Sequence, residues 1–441
     1  MRVPHQQRRL FLRQMGVLAT LGTGALAGGC AQRPNRPAGG SLEAVAEDPI
    51  TTTPGNQAAT LRNIDRIFAT RDIRRGAPAV FLPRHERDLA QAGIAYVYRD
   101  AHYTLDDYLQ RNRVSGLLVL KSGRVALERY AMGNGPQSRW TTFSVAKSVT
   151  STLVGCALRE GSIASLDDRI PRYVPALRDS VWADCSISHL MTMTSGIQWS
   201  EDFSLLHGSD LLRYVHAIES RTSGAVMELV RSRDRAAEPG TVFNYSTADS
   251  YVLGAVLAGA IGDNLSNYLS RKLWAPLGME SDAYWLLDAP GGLETAGDNI
   301  SATLRDHGRF GLFFLDPARS GAPDVLPPGW RDRASRPQTA VAAYGLVDEE
   351  PLGFGLDWWS FPVGAGALPF HDGAFTAQGI FGQFLYVNPQ EDVVAVVWSA
   401  WRSPWDDNAE METYAVLGEA VHLLRESPPA AASGPAAQPH R

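Results

Sequence analysis

The stretch Val114-Ser115-Gly116-Leu117-Leu118-Val119-Leu120, the turn Lys121-Ser122-Gly123-Arg124, and the run Val125-Ala126-Leu127-Glu128-Arg129-Tyr130 read as a β-hairpin. Two apolar, β-prone runs flank a tight turn containing glycine, the pattern of paired antiparallel strands. Strand signals return only near the other end of the chain. They lie at Gly353 to Trp359, at Gly382 to Asn388 and at Asp392 to Trp398, the last two joined by the turn Pro389-Gln390-Glu391. The sequence between reads mostly as helix and loop, with helices expected at Ser188 to Met193, Asp210 to Glu219, Ala225 to Arg231, Ser246 to Ile261 and Leu265 to Leu273. A last helix is expected from Glu410 to Arg425. Strands at both ends with helices between imply an α+β fold: an antiparallel sheet assembled from the two ends, flanked by helices, with an inserted helical lobe. The cleft between the lobes is the expected site.

Just after the hairpin, Phe143-Ser144-Val145-Ala146-Lys147-Ser148 opens an apolar helical run in which Val149, Leu153, Val154 and Leu158 recur at helical spacing. Three residues is nearly one turn, so the Ser144 hydroxyl and the Lys147 amine share a face. A serine needs an adjacent base to become a nucleophile, and a lysine whose pKa is lowered by its surroundings is one. The first helical turn also favours negative charge at Ser144. Alone, the four-residue pattern is also what a solvated helix start looks like.

The chain has 441 residues, of which 44% are hydrophobic and 20% charged, enough for a large core in one domain or two closely joined ones. A net charge of -6, with no run of like charges in the body, leaves no footprint for nucleic acid. Residues 1–30 read as a signal peptide: Gln7-Arg8-Arg9-Leu10-Phe11-Leu12-Arg13 follows the twin-arginine export pattern, and a short apolar span leads to Ala25-Leu26-Ala27-Gly28-Gly29-Cys30. That box resembles a bacterial lipoprotein signal with Cys30 lipidated, although Ala27 stands where leucine is usual; the bland reading is a cleavable leader with an incidental cysteine. The expected location is outside the cytoplasm, periplasmic or tethered to a membrane by lipid at Cys30. Residues 31–60 read as a flexible linker, 61–426 as the folded domain and 427–441 as a disordered tail. Cys156 falls in the apolar helix and reads as a packed thiol, although a disulfide with Cys185 suits an oxidising compartment.

In Glu238-Pro239-Gly240-Thr241-Val242-Phe243-Asn244-Tyr245-Ser246, a turn leads to a helix start, placing Tyr245 where its phenol can reach a cleft as a second base or proton relay. The bland alternative is a core tyrosine with its hydroxyl satisfied. Gly-x-Ser-x-Gly, His-Glu-x-x-His, Gly-x-x-x-x-Gly-Lys and Gly-x-Gly-x-x-Gly are all missing from the sequence. Taken together, Ser144-Val145-Ala146-Lys147, Ile187 to Ile197, Phe243 to Asp249 and Leu273 to Met279 resemble the serine β-lactamase and penicillin-binding superfamily. The resemblance is strongest to its class C-like branch of esterases and 6-aminohexanoate-dimer hydrolases, and it runs from about Leu61 to Leu424.

The resemblance implies a β-lactamase/transpeptidase-like fold, Ser144 as acylated nucleophile, Lys147 as its base and Tyr245 as the relay to the leaving group. It implies no cofactor and no metal. The superfamily's Lys/His-Thr-Gly strand has its best counterpart in His371-Asp372-Gly373, so substrate contacts are expected from His371, Gly373 and the N–H of Ala374, which would join the Ser144 N–H as oxyanion hole. The spacing from His371 to Gly379 is longer than the family pattern and allows a register two residues away, and His371 as a structural imidazole is the alternative. Two departures bear on substrate: Tyr245-Ser246-Thr247 replaces Tyr-x-Asn, and an imidazole replaces a fixed cation. Both favour an ester or small linear amide over a penicillin. A peptidoglycan DD-peptidase or β-lactamase is the first rival, and a non-catalytic binding protein on the same fold the second. Trp199, Phe203 and one of Trp358 and Trp359 are candidates for an acyl pocket, with ordinary core packing as the alternative. His189 reads as a packing residue of the helical lobe, and Glu201 and Asp202 as solvated loop charges. Beyond a small-molecule substrate and a membrane reached through the lipid anchor, no partner is expected.

Overall fold

A computed structural model describes residues 52, 54–76, 78–202, 208–320, 323–343, 352–364 and 369–425. The leader with Cys30, most of the linker, Phe203 and the tail lie outside the described residues. The hairpin forms as β1 (Val114–Lys121) and β2 (Arg124–Tyr130). Five strands from the C-terminal part complete the sheet: β3 (Gly353–Phe354), β4 (Trp359–Ser360), β5 (Phe375–Gly379), β6 (Gln383–Asn388) and β7 (Val393–Ser399). The order is β2-β1-β7-β6-β5-β4-β3, every neighbouring pair antiparallel. The two ends of the chain meet where β1 pairs with β7, Leu118 opposite Val396 and Leu120 opposite Val394.

Period-two alternation assigns each strand residue to one face, and both faces are covered. On one side Val393, Ala395 and Val397 pack with Tyr108 of α1 (Leu105–Arg111). On the other, Val394, Val396 and Trp398 belong to the core shared with α2 (Val145–Glu160), the helix that Ser144 opens, which itself lies against β5 and β6. Strands buried on both faces need continuous apolar sequence, which is what β7 and the second half of β1 have. The helical lobe holds α3 (Ile187–Met191) and α4 (Thr247–Ile261). Every residue of α4 from Thr247 to Leu257 is buried, so this helix is the lobe's axis and packs beside α2. Two more helices cover the sheet: α5 (Leu304–Leu315), on the α2 side, and α6 (Asp407–Arg425), on the α1 side through Tyr414, Leu417 and Val421. A Cβ on Gly311 of α5 would lie 2.5 Å from Val394, so the glycine lets α5 approach the sheet.

Two expectations change. The strand expected at Gly353 to Trp359 is two short strands, because Asp357 turns the chain between them with φ +60° and the turn is held by Ser148 and Ser151 of α2. A second sheet was not foreseen: Thr70–Ile73, Ala283–Leu286, Ile300–Ala302 and Trp140–Thr141 pair in that order. Its last strand carries the chain to Ser144. Cys156 and Cys185 are both free and buried, with burial pushing their thiols up to about 12 and about 11.

Candidate active site

Ser144 stands at the N-cap of α2, where its own backbone is already helical (φ -64°, ψ -7°) and its side chain caps nothing. The hydroxyl is therefore left for chemistry. Phe143 before it is forced to φ +46°, an uncommon conformation for a bulky residue, and is pinned by packing on Phe381 with ring centroids 5.6 Å apart. This strained turn lifts Ser144 to the partly exposed surface, whereas Phe143 and Lys147 are buried.

Lys147 Nζ lies 3.0 Å from Ser144 Oγ, 3.1 Å from Thr247 Oγ1 and 2.8 Å from the Gly297 carbonyl. Three acceptors match the three hydrogens of an ammonium. Burial pulls the Lys147 pKa down, but Tyr245, Glu201 and Asp298 outweigh it and leave the group above the ordinary lysine value. A lowered pKa was expected for the base; the acidic surroundings reverse the direction. Tyr245 leads into α4 and places its ring 4.9 Å from Lys147 Nζ. Burial raises the pKa of its phenol, while Lys147 and Ser144 draw it back only partly. The structure thus brings Ser144, Lys147 and Tyr245 into one cluster.

The loop of Tyr245 is held by Asn244, whose N–H donates to Met193 O (2.9 Å) and whose Nδ2 donates to Trp199 O (3.1 Å). Glu201, expected to be solvated, accepts the Thr247 N–H at 2.6 Å and Trp199 Nε1 at 2.8 Å, placing a carboxylate at the start of α4. His189 closes a capping box with Ser186 in the helical lobe. Of the aromatic candidates, Trp199 is core, packed on Tyr214, and Trp358 is fully buried beside Phe314 and Phe375. Trp359 faces the other way and stacks on Tyr245, centroids 6.0 Å apart and 20° from parallel. Phe243 and Phe354 complete a half-open aromatic wall.

The third expected element lies elsewhere. His371 is buried on the α6 side of the sheet, with Nδ1 on Tyr386 Oη (2.8 Å) and Nε2 on the Tyr414 carbonyl (3.0 Å), and burial lowers its pKa to about 4. Gly373, at φ +66°, belongs to the same turn, and the Ala374 N–H already donates to His371 O at 3.0 Å. None of the three faces Ser144. The part of β5 beside the Ser144 turn is further on: a Cβ on Gly379 would lie 2.2 Å from Thr142 O and 3.2 Å from Phe143. β4 pairs only with Phe375 and Thr376, so among the described residues Ala377 to Gly379 pair with β6 on one side and have no strand partner on the β4 side. Sequence reasoning also missed Gly297, Asp298 and Glu201, which carry no local signature, and the role of Thr247 as a lysine acceptor, which its place in Tyr245-Ser246-Thr247 could have suggested.

A family model described as Beta-lactamase matches residues 102–420. The chain belongs to the Beta-lactamase family. A 6-aminohexanoate-dimer hydrolase of Paenarthrobacter ureafaciens is 27% identical over 314 residues, covering 68% of this chain and 76% of that protein. A beta-lactamase of Pseudomonas fluorescens is 23% identical over 300 residues, 60% and 75% of the two chains. Among solved structures, a Bacillus anthracis protein provisionally named a 6-aminohexanoate-dimer hydrolase superposes with a TM-score of 0.72 at 20% identity, covering 83% of this chain and 95% of its own. EstCE1, a hydrolase with promiscuous acyltransferase activity, gives 0.56 at 18% identity over 71% and 96%. The fold is that of the β-lactamase and penicillin-binding superfamily, whose members among these relatives are hydrolases.

Proposed function

We propose that this protein is a serine hydrolase that cleaves a neutral ester or small linear amide through an acyl-enzyme on Ser144. The observation that carries the reading is Lys147 Nζ 3.0 Å from a partly exposed Ser144 Oγ, with Tyr245 against both. In acylation, Ser144 Oγ bonds to the substrate carbonyl carbon as its proton passes to the Lys147–Tyr245 pair. Collapse breaks the bond to the leaving oxygen or nitrogen, which takes the proton from Tyr245. Water then adds to the acyl-enzyme by the same relay and releases the acid. The Ser144 N–H and an N–H on the Ala377 to Gly379 edge are the oxyanion donors in this reading, in place of Ala374.

The surroundings favour an uncharged substrate. Glu201 and Asp298 act on Lys147, and among the described residues no arginine or second lysine bonds to the cluster. A penicillin or a D-alanyl peptide brings a carboxylate for which the cluster offers, among the described residues, no cation besides Lys147. The aromatic wall of Phe243, Phe354 and Trp359 seats an apolar acyl or alkyl group. The test is a substrate panel of p-nitrophenyl esters, linear amides and a fluorescent penicillin. Ester or amide turnover that falls at least about a thousandfold in Ser144→Ala is expected; full activity in that variant would sink the reading, and stable penicillin labelling with no ester turnover would favour the peptidase or β-lactamase.

The export reading is part of the same proposal: a lipid at Cys30 would hold the domain at a membrane through residues 31–60. A Cys30→Ser variant expressed in the native host should lose the lipid mass and leave the membrane fraction; unchanged mass and fractionation would contradict it.

A further inference from the structure

The end of β5 that lies beside the Ser144 turn has no partner on the β4 side among the described residues, so its place is set from β6, where Gly379 pairs with Gln383. Gln383 is fully buried and, by alternation, shares the α2 face of the sheet with Leu385. Its amide bonds to three separate segments. Nε2 donates to the carbonyls of Ile380 (3.3 Å) and Phe381 (3.0 Å) in the β5–β6 turn, and to that of Ser399 (2.8 Å) at the end of β7. Oε1 accepts Trp140 Nε1 at 2.9 Å, from the strand that carries the chain to Ser144. Two strained residues meet at this junction: Phe143 at φ +46° and Phe381 at φ +61°, with ring centroids 5.6 Å apart. Bulky residues hold the left-handed region only where their surroundings over-determine it. Phe381 is fastened by its N–H to Pro404 O (2.9 Å), and its carbonyl takes the Trp401 N–H (3.2 Å) as well as the Gln383 amide. Gln383 thus grips one strained turn directly and the other through Trp140, three residues before Phe143.

We propose that Gln383 is a positioning residue for the reaction at Ser144: its amide fixes the spacing between the Ser144 turn and the β5 edge, and with it the spacing between the two oxyanion donors. The inference rests on the reading of Ser144 as nucleophile and of the Ala377 to Gly379 edge as source of the second donor. Gln383 touches no reacting atom and acts through Gly379, Phe381 and Trp140. The junction asks one planar group to accept from an indole N–H and to donate to backbone carbonyls. An amide does both, whereas a carboxylate only accepts and an ammonium only donates. An apolar residue of similar length would fill the volume and leave the Trp140 N–H and the Ile380 and Ser399 carbonyls without these bonds. The spacing of the donors counts most when the substrate carbonyl oxygen becomes an oxyanion, since that is where charge develops. A displaced turn therefore weakens the transition state more than the bound ester, and kcat more than KM.

The test is Gln383→Met in the full chain, measured with a neutral p-nitrophenyl ester, an alkyl boronic acid and thermal unfolding. The boronic acid bonds through boron to Ser144 Oγ as the hydroxyl proton passes to the Lys147–Tyr245 pair, and its tetrahedral adduct sets a charged oxygen where the oxyanion would be. In a variant that still unfolds cooperatively, kcat should fall at least about thirtyfold, short of the full loss of a donor, with KM within about twofold. Boronate affinity should fall by a factor close to that in kcat. Packing alone predicts a lower melting temperature with kcat and boronate affinity unchanged, and that result overturns the proposal, as does a KM that rises while kcat holds. If Gln383→Met does not fold, Trp140→Phe decides: it removes the indole donor and keeps an aromatic ring on Trp398, and kcat should fall about fivefold at unchanged KM. An unchanged kcat there overturns the proposal. Ester turnover lost in Ser144→Ala but unaltered in Gln383→Met would strike the positioning role and keep the hydrolase. A wild-type protein that neither turns over ester nor takes a fluorophosphonate label would discard both.

Discussion

Lys147 gives its three ammonium hydrogens to Ser144, Thr247 and Gly297, and the acidic groups of Tyr245, Glu201 and Asp298 around it make it, in the proposed reaction, a reluctant base. A general base must first lose a proton, and both Lys147 and Tyr245 hold theirs above the ordinary values for their types. The sign follows: the reactive form has one proton fewer than the resting form, so kcat/KM for a neutral ester should climb with pH through neutrality and level off on the alkaline side. A plateau already reached below about pH 7 would contradict this assignment of the base pair. Removing the amine in Lys147→Ala should cost at least about a thousandfold in acylation, the range of general-base and nucleophile activation together. Thr247→Val is subtler. It takes one acceptor from the ammonium, which loosens the proton and moves the acidic limb to lower pH, with a change in rate of about five- to tenfold from the lost hydrogen bond. An unmoved limb in Thr247→Val would mean that the threonine does not hold the ammonium in solution.

At the scale of elements, the proposed site depends on how β5 lies along the Ser144 turn. Gly379 is what allows the contact, since a methyl there would sit 2.2 Å from Thr142 O and must drive the strand or the turn away. Gly379→Ala should therefore lower kcat more than a hundredfold in order of magnitude, the loss expected when an oxyanion donor is misplaced, while a modest drop in melting temperature shows the fold intact. His371→Gln, by contrast, should leave kcat within about twofold, because the imidazole bonds Tyr386 and Tyr414 on the opposite face. These two strand positions also mark the limit of what the sequence discloses. The hairpin, the Ser144 helix and the Tyr245 loop are legible because each is written in neighbouring residues: alternation, a Ser-x-x-Lys spacing, a turn before a helix start. Which residues of 371–379 face Ser144 depends on where β4 stops pairing, and that is set by the turn at Asp357 bolted to α2. Glu201 likewise looks solvated in sequence and becomes a ligand of α4 only when Thr247 is brought to it from 46 residues away.

Over the whole molecule, buried titratable groups make stability depend on pH in two opposing ways. His307 and His371 are kept neutral by burial, their pKa values lowered to about 3 and about 4. Folding therefore gains from them above their unfolded pKa of about 6.5, and the gain is lost as pH falls towards 4. Asp249 runs the other way: burial raises its folded pKa to about 7, so its contribution is intact below the unfolded value near 4 and is lost as pH rises through 7. Asp357 and Asp298, raised by burial as well, add to the same trend. The two sets cross between about pH 4 and 7, which flattens the stability curve there. Asp249→Asn isolates one arm. An amide can still accept from Ser195 and carries no titrating proton, so the variant should gain stability relative to wild type at pH 8 and show little difference at pH 4. The full linkage value is about 4 kcal/mol. Thermal or urea unfolding of both proteins at pH 4, 6 and 8 measures this directly. A stability difference that stayed constant across the three would show that Asp249 is charged in the folded protein over the whole range.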